Sequence, residues 1–231
     1  METIHSTEYN GMPIEVVETQ QTVYLQFDGG LKQSSFKKKN PKELQKPYSK
    51  HMVKVLDLWN LDHDSDPKDI LVLGLGGGII PTWLYDNTNA NIDVVEIVPE
   101  LKEISETYFN MPVDDRLNII IEDCNEYMPK CDKKYDINEF IFSTNNKYDI
   151  VVVDIFGAVS VNIPSIIDEA NTFHTGIKRV MKEQGMASIN SLVTERNYDT
   201  YMKVLNNNYS TIIEEYVKLG RYSNNHISFC A

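Results

Sequence analysis

The residues with the means to do chemistry are a cluster of glycines and three acids, each at the end of an apolar segment. The run Ile70-Leu-Val-Leu-Gly-Leu-Gly-Gly-Gly-Ile-Ile-Pro81 closes on Gly74, Gly76, Gly77 and Gly78. Glycine lets a ligand approach the backbone, and a side chain there would fill the space the ligand needs. Pro81 suits the first turn of a helix, where its missing N–H leaves nothing unpaired. About 20 residues past the first glycine, Val94-Val-Glu96 ends a second apolar run in a carboxylate, as a nucleotide crevice requires. The expectation is a site for an adenosine-bearing cofactor.

Glycine turns of this kind serve NAD, FAD and S-adenosylmethionine alike, so the acids have to narrow the choice. Glu96 can accept both ribose hydroxyls of an adenosine. Ile121-Glu-Asp123-Cys124 places an acid and then a small residue at the next strand end. Asp123 can accept from the adenine amino group, and Cys124 leaves room for the ring. Asp154 ends the most apolar segment, Tyr148 to Ile155, at the carboxyl end of the sheet where ligands bind.

The elements that must hold these residues alternate. Ile14 to Glu18 and Thr22 to Phe27 read as strands around a polar turn, and Asp28-Gly29-Gly30 as another turn. A polar lysine-rich loop follows. Tyr48, Met52, Val55, Leu56 and Trp59 fall at helical spacing and predict one helix. Strands are expected at Ile70 to Leu73, Ile92 to Ile97, Leu117 to Ile121, Tyr148 to Ile155 and Met186 to Leu192. Helices are expected from Pro81 into Tyr85, after Pro99, from Ile166 to Val180 with Gly185 closing it, and around Tyr198 to Leu205. Val151, Val152 and Val153 in succession predict a strand buried on both faces. Thr211 to Val217 and His226 to Cys230 have no helix between them and should pair antiparallel. The polar stretch from Asp132 to Lys147 reads as an insertion. The fold class expected is α/β: a doubly wound, mostly parallel sheet with an antiparallel last strand. Residues 1–45 form a small N-terminal β-element and residues 46–231 a Rossmann-like domain.

Composition sets the bounds. The 231 residues are 42% hydrophobic, enough for a sizeable core. No apolar run has the length of a membrane span, and Met-Glu-Thr-Ile-His-Ser lacks the basic start of a secretory signal. The formal net charge of −12 disfavours nucleic acid and anionic membrane as partners. The basic cluster Lys37-Lys38-Lys39 with Lys42 and Lys46 reads as a solvated loop. Cys124, Cys131 and Cys230 form no metal-type pair, and His51, His174 and His226 show no ligand pattern, so no metal is expected. Reduced cysteines place the protein in the cytoplasm.

These residues resemble the spermidine synthase (polyamine aminopropyltransferase) superfamily of class I S-adenosylmethionine-dependent transferases, over most of the chain. Phe27-Asp-Gly-Gly-Leu-Lys-Gln33-Ser resembles its N-terminal strand and cofactor-side glutamine, and Tyr48 the tyrosine that opens its first core helix. Leu73-Gly-Leu-Gly-Gly-Gly78 resembles its glycine loop, Val95-Glu96-Ile97 its ribose segment, and Glu122-Asp123-Cys124 its adenine acid. Tyr148-Asp-Ile-Val-Val-Val-Asp154 resembles its central strand and catalytic aspartate. Leu73 to Met128 and Asn225-His-Ile-Ser-Phe-Cys230 are also similar to a methyltransferase branch of this fold, which includes the C-terminal domain of the enzyme that methylates the N-terminus of translation elongation factor 1A. The resemblance implies S-adenosylmethionine or its decarboxylated form as cofactor, bound by Gln33, Gly74, Gly76, Gly77, Gly78, Glu96, Ile97, Asp123, Cys124 and Asp154. It implies catalysis by Asp154 with Tyr48, a small-molecule or protein amine as acceptor, and a homodimer.

Three positions depart from the resemblance. Gly157 stands where spermidine synthases carry a second aspartate, Lys50 where they carry a glutamate, and Val98 where an acid follows the ribose acid. Acids hold a doubly cationic diamine by charge-assisted hydrogen bonds. One close ion pair is worth about 4 kcal/mol at an effective dielectric of about 20, before desolvation. Losing two such partners disfavours putrescine, so the reading leans to methyl transfer. Aminopropyl transfer is the second reading, and a catalytically inactive nucleoside-binding subunit the third.

Overall fold

A computed structural model of the chain describes residues 1–131, 147–155, 164–193, 197–218 and 224–231. Most of the insertion from Asp132 to Lys147, and Gly157, lie outside them.

Strands β1 (Glu2–Tyr9), β2 (Met12–Glu18), β3 (Thr22–Phe27) and β4 (Leu31–Lys37) form an antiparallel sheet in that order. Asn10 and Gly11, both at positive φ, make the first hairpin turn. The sequence reading names only β2 and β3. The edge strand β1 has no fully buried residue, so it carries little apolar pattern. The stretch read as the start of a lysine-rich loop is instead β4, paired along β3.

Helices α1 (Pro47–Met52) and α2 (Val55–Asp62) replace the single expected helix. Pro47 begins the first, and a tight bond from Lys54 N–H to His51 O at 3.0 Å overwinds the chain between them.

The remaining elements are β5 (Asp69–Leu73), α3 (Ile79–Asn87), β6 (Asn91–Glu96), α4 (Glu100–Tyr108), β7 (Leu117–Ile121), α5 (Cys124–Cys131), β8 (Tyr148–Val153), α6 (Pro164–Val180), β9 (Met181–Val193), α7 (Tyr198–Asn208), β10 (Ile212–Lys218) and β11 (Asn224–Cys230). Seven strands make one sheet in the order β10-β11-β9-β8-β5-β6-β7. β5 to β9 are parallel, and β11 lies antiparallel between β9 and β10. Every residue of β8 is buried, as its valine run predicts. The chain goes from β5 outward through β6 and β7, then returns to lay β8 on the other side of β5. That reversal opens a crevice beyond the carboxyl ends of β5 and β8.

Successive residues of β5 feed opposite faces. Ile70 and Val72 join one core with Val16, Leu25 and Phe36 of the N-terminal sheet and with Trp59, Leu84 and Ile104. Leu71 and Leu73 join the other core, with Tyr127, Phe173, Ile177 and Leu205. The N-terminal sheet thus shares a core with one face of the large sheet, which brings β4 to the crevice.

Gly185 does not close α6. The helix ends at Val180, and Gly185 lies inside β9 at a bulge where the pairing jumps from Tyr148–Met181 to Ile150–Met186. A Cβ there would stand 2.9 Å from the Lys182 carbonyl oxygen, so backbone approach rather than a helix cap explains this glycine. Helix α3 starts two residues before Pro81, which still falls in the first turn. Among the described residues, no helix is long and apolar enough to cross a membrane, and no group of three or more His, Cys, Asp or Glu is placed to hold a metal ion. All three cysteines are free.

Candidate active site

The glycine loop runs from the end of β5 into α3. Gly74, Gly76 and Gly78 have positive φ of 96°, 54° and 71°, which side-chain-bearing residues rarely adopt. At Gly74 the need is also steric. A Cβ would stand 2.3 Å from the backbone oxygen of Asp154, because Asp154 N–H donates to Leu73 O at 2.9 Å and draws the ends of β5 and β8 together. At Gly77 an added Cβ would meet Ser34 Cβ at 2.8 Å and Phe109 Cδ1 at 2.9 Å. The sequence reading reserves the space above these glycines for a ligand. At Gly77 it holds β4 and Phe109, and at Gly78 it holds Met111 and Ser105. Gly77 N–H donates to Ser34 Oγ at 2.9 Å, pinning the loop to β4 beside Gln33. The half-buried Gln33 side chain makes no hydrogen bond with the described residues.

Glu96 ends β6 and is 7% exposed. Its Oε2 accepts from Leu75 N–H and its Oε1 from Val98 N–H, both at 2.8 Å. The carboxylate is thereby fixed beside the glycine loop. Each oxygen keeps acceptor capacity, since an ionised carboxylate has about four lone-pair sites. Ile97, next to it, is 50% exposed. One strand over, Asp123 lies between β7 and α5. Its Oδ1 accepts from Asn125 N–H at 2.8 Å and Asn125 Nδ2 at 3.0 Å, so it caps α5. The Cys124 thiol also bonds the Asp123 carboxylate. Cys124 opens α5; burial pushes its thiol up to about 11, which keeps it a neutral, compact side chain.

Asp154 follows β8, and its carboxyl is gripped from two sides. Tyr48 OH, on α1, donates to Oδ2 at 3.3 Å, and Asn190 Nδ2, on β9, donates to Oδ1 at 2.8 Å. Asn225 Nδ2, on β11, donates to Asn190 Oδ1 at 2.6 Å. That second bond fixes which end of the Asn190 amide faces the acid. Burial raises the Asp154 pKa; the bonds from Asn190 and Tyr48 and the Lys46 charge pull the other way. Burial and then the Asp154 charge hold the Tyr48 hydroxyl well above its ordinary range, so it stays a donor. Lys50 is exposed, with Nζ 3.5 Å from Glu43 Oε1.

The sequence-predicted residues are therefore brought together in two groups. The glycine loop, Glu96 and Ile97 form one, with Asp123 and Cys124 a strand away; Tyr48 and Asp154 form the other, joined to the first where Gly74 touches Asp154. Ser34, Asn190 and Asn225 were missed. Ser34 adjoins Gln33 in sequence, which is a usable hint. Nothing marks Asn190 inside its strand.

Two curated relatives and two solved structures bear on this arrangement. The chain is 29% identical over 144 residues to the eEF1A lysine and N-terminal methyltransferase homolog of Drosophila melanogaster, covering 61% of this chain and 20% of that protein. It is 26% identical over 149 residues to the polyamine aminopropyltransferase of Vibrio vulnificus, covering 62% of this chain and 46% of that one. The chain thus spans less than half the length of either relative. A probable spermidine synthase from Corynebacterium glutamicum superposes with a TM-score of 0.76 at 16% identity, over 100% of this chain and 81% of that one. The chain is similar to spermidine synthase-like S-adenosylmethionine-dependent transferases. The methyltransferase side of this superfamily is represented too. Human methyltransferase-like protein 13, solved in complex with SAH, superposes with a TM-score of 0.62 at 22% identity, over 80% of this chain and 82% of that one. No family model matches the chain. The likeness to the solved structures establishes the class I methyltransferase-like fold.

The donor set fits an S-adenosyl group on its own chemistry. Glu96 is an oriented acceptor beside the glycine loop, and Asp123 is an acid held at the start of α5 a strand away.

Proposed function

We propose that this chain is an S-adenosylmethionine-dependent transferase that methylates an amine-bearing acceptor. In this reading Glu96 takes the ribose hydroxyls and Asp123 the adenine amino group. Ile97 and Cys124 flank the ring, while Gly74, Gly76, Gly77, Gly78 and Gln33 line the donor side. The bound donor would supply a sulfonium that makes the adjacent carbon electrophilic.

Asp154 and Tyr48 face the acceptor. The amine must arrive unprotonated. Asp154 can accept its N–H, orient the lone pair and take up the proton as it is released. The raised pKa of Asp154 makes it a better proton acceptor than an exposed aspartate. Asn190 and Tyr48 hold both carboxyl oxygens, so the acid presents a fixed face, and positioning of this kind supplies much of the rate.

The observation that carries methylation over aminopropyl transfer is the charge on α1. Lys50 stands one half-turn from Tyr48, exposed, where the resemblance implies an acid for a dicationic diamine. A like charge there repels such an acceptor. The retained pairing of Tyr48 with Asp154 favours aminopropyl transfer as the second reading. The free cysteines fit a reducing, cytoplasmic compartment.

Product analysis tests the choice. The protein is incubated with S-adenosylmethionine or its decarboxylated form and a panel of diamines, amino acids and peptides. Release of S-adenosylhomocysteine with an amine acceptor is expected. Release of methylthioadenosine with putrescine would replace the methyl reading by the aminopropyl one. No turnover together with nucleoside binding would leave the inactive-subunit reading.

A further inference from the structure

The sequence alone reads Lys46 as part of a solvated basic loop, and its surroundings do not fit that description. It is half-buried, immediately before α1. Its Nζ donates to the Lys32 carbonyl oxygen on β4 at 2.9 Å. Lys32 lies two residues along β4 from Ser34, the residue that holds Gly77 N–H, so Lys46 stands at the seam between β4, α1 and the glycine loop. Tyr48, two residues on, reaches Asp154. Lys46 and Asp154 feel each other's charge: each favours the ionised form of the other.

Three neighbouring lysines have a carboxylate. Lys38 pairs with Glu18 at 2.6 Å, Lys42 with Asp86 at 3.0 Å, and Lys50 with Glu43 at 3.5 Å. Among the described residues, no carboxylate lies within salt-bridge distance of Lys46. An ammonium has three donors and Lys46 spends one on a carbonyl. Burial, together with the nearby Lys32 charge, works against its protonated form. An anion arriving at the crevice would relieve this. The crevice therefore offers a cation and an anion, Lys46 and Asp154, at one end of the glycine loop.

We propose that Lys46 receives the α-carboxylate of the donor's amino-acid end, so that the site selects S-adenosylmethionine over its decarboxylated form. This rests on the donor reading above. The intact donor ends in a zwitterion, and its carboxylate is the anion that Lys46 can pair. The decarboxylated donor ends in an ammonium alone, which Lys46 repels. Lys46 is thus a specificity residue for the donor, acting at the tail and not at the ribose or ring.

Titration calorimetry on the full chain with S-adenosylmethionine, decarboxylated S-adenosylmethionine and methylthioadenosine tests it. The last ligand has the nucleoside but no amino-acid tail. The wild type is expected to bind the intact donor at least about tenfold more tightly than the decarboxylated one, the ratio that about 1.4 kcal/mol represents. Lys46→Gln should bring that ratio to near one while leaving methylthioadenosine affinity unchanged, and Lys46→Arg should keep the preference. Equal or tighter wild-type binding of the decarboxylated donor overturns the inference, and so does an unchanged ratio in a Lys46→Gln protein that still binds methylthioadenosine. Should Lys46→Gln fail to fold, the wild-type ratio and Lys46→Arg decide. Failure of all three ligands to bind the wild type would instead overturn the donor reading itself.

Discussion

The two sides of the crevice are held by contacts of different reach. On the donor side, Glu96 bonds Leu75 and Val98, 21 and two residues away, and Asp123 bonds Asn125. These links close within strand–turn–helix units that follow one another along the chain. On the acceptor side, Asp154 bonds Tyr48 across 106 residues and Asn190 across 36, and Asn190 bonds Asn225 across 35. Those links exist only when α1, β8, β9 and β11 are already in register. A site split this way can change its acceptor by altering remote elements without disturbing the donor side. Lys50, two residues from Tyr48 on α1, is a change of that kind.

The comparison breaks most sharply at Asp154. Asp154→Asn should cut kcat by about 10²–10⁴-fold, the range for a lost proton acceptor, with donor affinity held within about threefold. Product release and calorimetry read the two effects separately, and a matching loss of donor affinity would show that the sides are not separable. Next comes Gly74→Ala, which puts a Cβ against the Asp154 backbone where the two sides touch. It should lose about 2–4 kcal/mol of folding stability, from positive-φ strain and the clash. Denaturant unfolding measures it, and a loss below about 1 kcal/mol would mean the junction is soft.

Glu96→Gln leaves a backbone amide facing an NH₂ and removes an acceptor for the ribose. Donor affinity should fall about 10–100-fold, with kcat at saturation little changed. Ser34→Ala removes one bond to Gly77 and should cost about 1 kcal/mol, or about fivefold in donor affinity. The smallest expected effect is in pH. Burial raises the Asp154 pKa in the folded protein above its unfolded value. The folded chain therefore holds a proton that the unfolded chain releases. Stability from this group falls as pH rises from the ordinary aspartate range through the folded pKa, while turnover rises over the same window. Urea midpoints and rates across that window should move in opposite directions, and Asp154→Asn should remove the stability component.

The same division governs how much the sequence reveals. The parallel strands and the glycine loop are legible because each is a short apolar run ended by glycine or an acid, and consecutive runs become neighbours. β1 escapes because an edge strand buries no complete face. β4 escapes because its lysines give it the composition of a loop. Helix α5 spaces Cys124, Tyr127, Met128 and Cys131 along one face, but Pro129 inside it masks the helical pattern. Asn190 carries no local pattern, and Ser34, Lys46 and Asn225 sit in legible segments that do not reveal their individual contacts. Asn190 acquires a role only because β9 places it beside Asp154 and Asn225, and pairing across a sheet is not written in any window of sequence. Gly185 fails for the related reason that its demand comes from a bulge.

The bond from Asn225 to Asn190 has a consequence for how the protein is made. A ribosome delivers Asp154 first and Asn225 roughly 70 residues later, a lag on the order of 4–14 s at about 5–20 residues per second. In the later half of that interval, once β9 has been made, its edge is open and the Asn190 amide has nothing to set its direction. β10 also emerges before β11, so the last strand must slide between two strands already made. The nascent chain can therefore carry a finished glycine loop and Glu96 while its acid is still unaimed, and translation itself orders the two halves of the site in time.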